Sequence, residues 1–131
     1  MTKANQPHTV EYSVNLRADA GDVFDFHLHP KNLLKLSPAG IRIRSLVAPE
    51  IIQPGSELYL KVAFWGIPQS WHVRVREVRG LEGRPARAVM VDEAVRGPFP
   101  FWLHRHEFFQ DAAGSTRLVD HVEFLPPGGP W

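Results

Sequence analysis

A His-x-His pair and two aspartates on neighbouring apolar stretches are where this chain could do chemistry. His104 and His106 lie within Trp102-Leu103-His104-Arg105-His106-Glu107-Phe108. Alternation with period two puts Trp102, His104, His106 and Phe108 on one side of a strand, and Leu103, Arg105, Glu107 and Phe109 on the other. The first set reads as inward, because bulky aromatics flank the histidines while the other face holds an Arg and a Glu. A turn over Asp111 to Gly114 that sets Phe108 opposite Leu118 also sets His106 opposite Asp120, His104 opposite Val122 and Trp102 opposite Phe124. A turn at Arg96 to Phe99 lays Asp92 across from His104, with Met90 and Ala94 sharing the inward side. Two Asp–His pairs then stand side by side in an apolar wall.

Such pairing has a physical cause. A carboxylate taken out of water is costly unless it gains a charge-assisted hydrogen bond, and an imidazole supplies one. Three readings are open. Asp92, Asp120, His104 and His106 could form a buried polar network that sets strand register and lines a cavity without turning anything over. A histidine oriented by a carboxylate could instead act as general acid or base on a carbonyl-containing ligand. Two rings on one side with two carboxylates could also hold a metal, but the spacing is diagnostic of no particular ion, so the sequence assigns neither metal nor cofactor.

The other titratable residues are assigned no chemistry. His27 and His29 lie two apart on a helical segment and face different directions, as a helix-end group and a solvent group. His72 is out of phase with Trp71, Val73 and Val75 and reads as exposed, while His121 alternates away from Asp120. Arg42 with Arg44, and Arg74 with Arg76, form basic rows on wet strand faces. With 15 Lys+Arg against 14 Asp+Glu, formal charge +1, these rows imply solvation and no nucleic-acid partner.

The aromatic mass is Trp65, Trp71 and Trp102 with Phe64, Phe99 and Phe108. Some of it must be core. Its amount exceeds what a thin domain needs, so Trp71, Trp102 and Phe108 are expected against a hydrophobic guest, with Met90, Val122 and Phe124 on the same inward face. Gly97-Pro98-Phe99 reads as a loop at one mouth of that chamber, with Phe99 as a movable apolar plug.

These residues need a scaffold, and the chain is long enough for one. Its 131 residues make a single domain, 1–131, and 44% hydrophobic content is that of a folded protein. The absence of cysteine excludes a disulfide framework, a thiolate metal site and a cysteine nucleophile. No apolar stretch approaches the roughly 18 residues of a transmembrane segment, and the polar start from Met1 to His8 lacks a secretory pattern, so the cytoplasm is the expected location. Thr9 to Leu16 alternates as a strand. Asp19 and Asp22 suggest a helix start in which a carboxylate accepts free first-turn amides, and Val23, Phe24, Phe26, His27 and Leu28 supply an apolar stripe. A second short helix is expected over Asn32 to Leu36. Six further strands follow: Ile41 to Val47, Glu57 to Phe64, Ser70 to Val78, Ala86 to Val95, Phe101 to Gln110 and Ser115 to Leu125. Short connections between them, including Trp65 to Pro68 and Arg79 to Pro85, make successive strands antiparallel neighbours. The Pro- and Gly-rich end, Pro126 to Trp131, reads as open coil.

This order of elements resembles the α+β helix-grip fold of the START/Bet v 1-like superfamily, also called SRPBCC or polyketide cyclase/dehydrase-like. The residues carrying the likeness are Phe24-Asp25-Phe26-His27, Leu36-Ser37-Pro38, Pro54-Gly55-Ser56 and Gly66-Ile67-Pro68 before Trp71. Gly97-Pro98-Phe99 leading to the His-x-His stretch is the most specific part, completed by Thr116, Asp120-His121-Val122-Glu123-Phe124 and Pro126. The likeness points to a bacterial ligand-binding branch and implies a curved antiparallel seven-stranded sheet. Such proteins usually continue into a long C-terminal helix that covers the concave face, and this sequence stops at Trp131 without one. A second copy is therefore expected to supply part of the cover, making a homodimer. The resemblance implies binding or carriage of a hydrophobic small molecule such as a lipid, isoprenoid or polyketide-like compound. The alternatives are a cyclase or dehydratase using His104 or His106 with Asp120 and Asp92, and a protein-interaction module working through the uncovered sheet face.

Overall fold

The computed structural model describes residues 6–35 and 40–127. Seven antiparallel strands make one curved sheet: β1 (His8–Leu16), β2 (Ile41–Val47), β3 (Glu57–Phe64), β4 (Ile67–Glu82), β5 (Arg87–Arg96), β6 (Phe101–Ala112) and β7 (Ser115–Leu125). Their order is β1-β7-β6-β5-β4-β3-β2, so β2 to β7 form a meander and β1 closes on the last strand. Between β1 and β2 come one α-helix, α1 (Ala20–Leu28), and a 3-10 helix, Pro30–Lys35. The expected second helix ended at Leu36, which with Ser37-Pro38 lies outside the described residues, as does most of the expected terminal coil.

The strands differ from their sequence reading mainly at β4. The chain turns at Trp65-Gly66, both with positive φ of 50° and 85°, so Ile67 and Pro68 already pair with Phe64 and Ala63. A two-residue turn of that hand matches the twist of the strands it joins. At its other end β4 runs on to Glu82, through register breaks between Val75 and Glu77 and between Arg79 and Glu82. Each break shifts the alternation by a residue, which is why a period-two reading stops at Val78.

The helix start also differs. Asp19 stands at the N-cap without capping its own helix. Its Oδ1 accepts instead from the Gly114 amide at 2.7 Å, while the Ala20 amide donates to Gln110 Oε1 at 2.8 Å. Gln110 Nε2 donates to the Ala112 and Ser115 carbonyls at 2.6 and 3.0 Å, so one side chain of β6 both caps α1 and braces the β6–β7 turn. Thus anchored, α1 lays Val23 and Phe24 on the concave face, where Phe24 meets Phe108 edge-on at 5.2 Å. Beyond the end of α1, Pro30 begins the 3-10 helix, and the Ile52 amide donates to the Leu28 carbonyl at 2.8 Å, drawing the β2–β3 loop to the helix end. The core joins Val23, Phe24, Ile52, Leu58, Val75, Ala88, Met90, Phe108 and Leu118. Along β1 the concave side is open: Val10, Tyr12 and Val14 are 46%, 57% and 46% exposed.

Candidate functional site

The β5–β6–β7 register is the one read from the sequence. His106 faces Asp120, His104 faces Val122, Trp102 faces Phe124 and Phe108 faces Leu118. Asp92 faces His104 and Met90 faces His106. The hydrogen bonds run otherwise. His104 Nε2 lies 2.8 Å from Asp120 Oδ1 and His106 Nε2 lies 2.9 Å from Asp92 Oδ2, so each ring reaches the carboxylate diagonal to it. Only His106 Nδ1 meets the directly opposite group, Asp120 Oδ1, at 3.2 Å. The reason is reach: Nε2 is the far atom of the ring and extends to the next cross-strand pair, whereas Nδ1 sits near the backbone. The two expected pairs are therefore one crossed network, with the two imidazole rings stacked at 3.7 Å between centroids.

His106 has an acceptor at each nitrogen and so carries both hydrogens. Burial opposes that charge, but hydrogen bonds to Asp120 and Asp92, together with their negative charges, push its pKa up to about 9. Asp120 shows the converse. Burial would raise its pKa, and the bonds from His104 and His106 hold it well below the ordinary carboxylate range. Tyr12, opposite Asp120 on β1 and more than half exposed, is pushed up by partial desolvation and then by that carboxylate.

The network forms one wall of a cavity of about 230 Å³ between sheet and helices. Asp92, His104 and His106 are its polar side, with His27 from α1 across from them. The rest is aliphatic: Leu33, Ile52, Leu58, Leu60, Val73, Val75 and Met90. A larger hollow of about 720 Å³ lies around Tyr59, Lys61, His72 and Arg96. These residues sit on the opposite face, where they are separated from the acid-paired imidazoles by the sheet itself.

Among the residues expected against a guest, Met90 is on the cavity wall. Phe108 and Val122 are buried in the core. Trp71, Phe99, Trp102 and Phe124 pack on one another: Phe99 lies 5.6 Å from Trp71, 4.9 Å from Trp102 and 5.8 Å from Phe124. Gly97 lies close against this cluster: a Cβ there would stand 3.3 Å from the Trp71 ring, which would have to give by a few tenths of an ångström. This cluster adjoins the network through Trp102, whose ring meets His104 edge-on at 6.4 Å. Trp71 Nε1 is buried without a hydrogen-bond partner among the described residues.

His27, which the sequence places on the apolar stripe of α1 but reads as a helix-end group without chemistry, is part of the site. It lines the cavity, meets Phe108 at 5.0 Å and His106 at 6.5 Å, and holds Nδ1 2.8 Å from the Val23 carbonyl. The signal was available: His27 is four residues after Val23 and three after Phe24, hence on the stripe that faces the core. His29 makes the same turn-back contact to the Asp25 carbonyl at 2.8 Å on the exposed side. His72 is not the free surface group expected. It stacks on Tyr59 at 4.3 Å and bonds Glu57 at 3.1 Å. His121 points away from Asp120, to Glu11 at 2.9 Å. Arg74 and Arg76 are paired with Glu57 and Glu93 at 3.1 and 3.2 Å.

For a metal, the nearest set is Asp92, His104 and His106, whose ligand atoms lie within 4.8 Å of one another. Two of these residues, His106 and Asp92, already bond each other at 2.9 Å. No helix among the described residues is long and apolar enough to cross a membrane.

Comparison with known structures agrees with this architecture. The Zhui aromatase/cyclase from Streptomyces sp. R1128 superposes with a TM-score of 0.74 at 18% identity, over 95% of this chain and 71% of that one. A norcoclaurine synthase point mutant from Thalictrum flavum gives 0.70 at 14% identity, over 90% and 75%. A START superfamily protein from Mycobacterium smegmatis gives 0.64 at 19%, over 94% and 82%. No protein-family model matches the sequence, and no curated protein does. The chain has the helix-grip fold of START and Bet v 1-like proteins.

Proposed function

We propose that this protein binds a small hydrophobic molecule bearing one polar group, inside the concave cavity. The observation that carries this reading is the composition of that cavity: aliphatic walls around about 230 Å³, with the polar side chains confined to His27 and the Asp92–His104–His106 side. The aromatic cluster of Trp71, Phe99, Trp102 and Phe124 is the proposed extension for a longer guest, entered by displacing Phe99. Native mass spectrometry of the purified protein tests the reading, with a co-purified small molecule as the expected result. A protein that carries no guest and takes up no apolar fluorophore competitively with one would overturn it.

A second reading, acid–base catalysis, is favoured by one observation. A charged imidazole, His106, and a neutral one, His27, face a common space with ring centroids 6.5 Å apart. Environments that separate two ionisations in this way suit an acid and a base. Under this reading His104 or His106, held by Asp120 and Asp92, polarises a carbonyl. His106→Ala should then abolish turnover, whereas under the first reading it spares binding.

A homodimer belongs to the same proposal, supported by the exposed concave stripe of Val10, Tyr12 and Val14. Sedimentation velocity at micromolar concentration should find a dimer, and a monomer free of bound amphiphile would count against it. A different protein seated on that stripe is the remaining alternative, and no nucleic-acid partner is proposed. The cytoplasm is the proposed setting, checked by cell fractionation.

A further inference from the structure

What His27 can accept is decided by its own helix. The Val23 carbonyl, 2.8 Å from Nδ1, has no hydrogen to give, so Nδ1 carries one. Burial, more than any neighbour, lowers the pKa of the ring; the Val23 carbonyl opposes this, the charge on His106 adds to it, and Asp120 opposes it. A neutral ring protonated at Nδ1 has its lone pair on Nε2. Among the described residues no donor meets that atom, and the ring is part of the cavity lining.

The opposite side restricts charge. Asp92 and Asp120 contribute two negative charges, His106 one positive, and His104 at most one more, so the network is neutral or negative and offers nothing to an anionic head group. The space is also compact, which favours a rigid ring system over a flexible chain, because less conformational freedom is lost on entry.

We propose that the cavity selects a neutral aromatic alcohol by accepting its hydroxyl hydrogen on Nε2 of His27, and that it discriminates against ether and carboxylate analogues of the same shape. This rests on the reading of the concave cavity as a ligand site. A phenolic hydroxyl is a better donor than an aliphatic one and remains uncharged near neutrality. His27 is then the residue that orients the guest, with the aliphatic walls holding its ring and Phe108 supporting the imidazole from behind at 5.0 Å.

The test compares 1-naphthol, 1-methoxynaphthalene and 1-naphthoate by calorimetric titration of the full chain at pH 7. The expected result is 1-naphthol about tenfold tighter than its methyl ether, the worth of one hydrogen bond, with 1-naphthoate weakest. In His27→Phe, or in His27→Leu if the larger ring impairs folding, the naphthol-to-ether ratio should fall to about one while the ether's own affinity holds. His27→Gln, which restores an acceptor oxygen, should recover part of the ratio. Equal affinity for 1-naphthol and its ether in the unaltered protein, a ratio that survives both substitutions, or tightest binding by 1-naphthoate would overturn this proposal and leave apolar binding intact. Binding of neither neutral probe would overturn the ligand-site reading itself, and this proposal with it.

Discussion

The rings of His104 and His106 are stacked 3.7 Å apart, yet their Nε2 atoms reach different carboxylates on different flanking strands. The stack ties β5, β6 and β7 together through side chains as well as through the backbone ladder. It also places one positive charge, on His106, between two negative ones. Most of what can be tested about the site follows from that crossed arrangement.

The first consequence is a pH-dependent stability. Because the pKa of His106 is raised from 6.5 to about 9, its contribution is complete below pH 6.5 and is lost as pH rises through about 9. His27 has the opposite sign. Its pKa is lowered from 6.5, so stability falls as pH drops below that value, and Asp120 adds a further loss below its ordinary value of 3.8. Urea midpoints from pH 4 to 10 should peak near pH 6.5 to 7 and decline on both sides. The alkaline decline should disappear in His106→Gln, and NMR titration of His106 should place its midpoint well above that of an ordinary histidine.

Asp120 accepts from both rings and Asp92 from one, so the two carboxylates are not equivalent. Asp120→Asn takes a carboxylate from both rings at once, the charged His106 among them, and should cost roughly 3 kcal/mol, with Asp92→Asn costing less. Equilibrium unfolding at pH 7 measures both. Equal losses would mean that the Asp120–His106 contact contributes nothing.

Gln110 should matter more than an ordinary surface amide. It caps the Ala20 amide and holds two carbonyls across the β6–β7 turn. Gln110→Ala should cost about 1–2 kcal/mol, in the range of a lost helix cap, and raise hydrogen exchange at the start of α1. Because α1 carries His27, uptake of an apolar probe should weaken as well.

Phe99 bridges three aromatic rings while lying in a hairpin loop. If it is the movable cover of a longer ligand surface, Phe99→Ala should change the affinity of a large apolar guest more than it changes the melting temperature. It should also open Trp71 and Trp102 to acrylamide quenching. A large fall in melting temperature with unaltered affinity would make Phe99 a packing residue.

Period-two alternation in Trp102 to Phe108 and in Leu118 to Phe124, with the short Asp111–Gly114 connection, was enough to set His106 opposite Asp120 and His104 beside Asp92. Local pattern determines strands and their register because inward and outward positions cannot be exchanged without burying Arg105 and Glu107. The same pattern was silent on three matters decided in three dimensions. Which carboxylate each imidazole bonds depends on ring reach across adjacent pairs, not on opposition of backbones. Which group caps α1 depends on the β6–β7 turn, 90 residues away along the chain, bringing Gln110 to Ala20. And the chemistry of His27 arises only when α1 is laid over the sheet, since a histidine on a helical stripe becomes a cavity wall, with one nitrogen turned to its own backbone and the other without a partner among the described residues, once there is a concave surface beneath it.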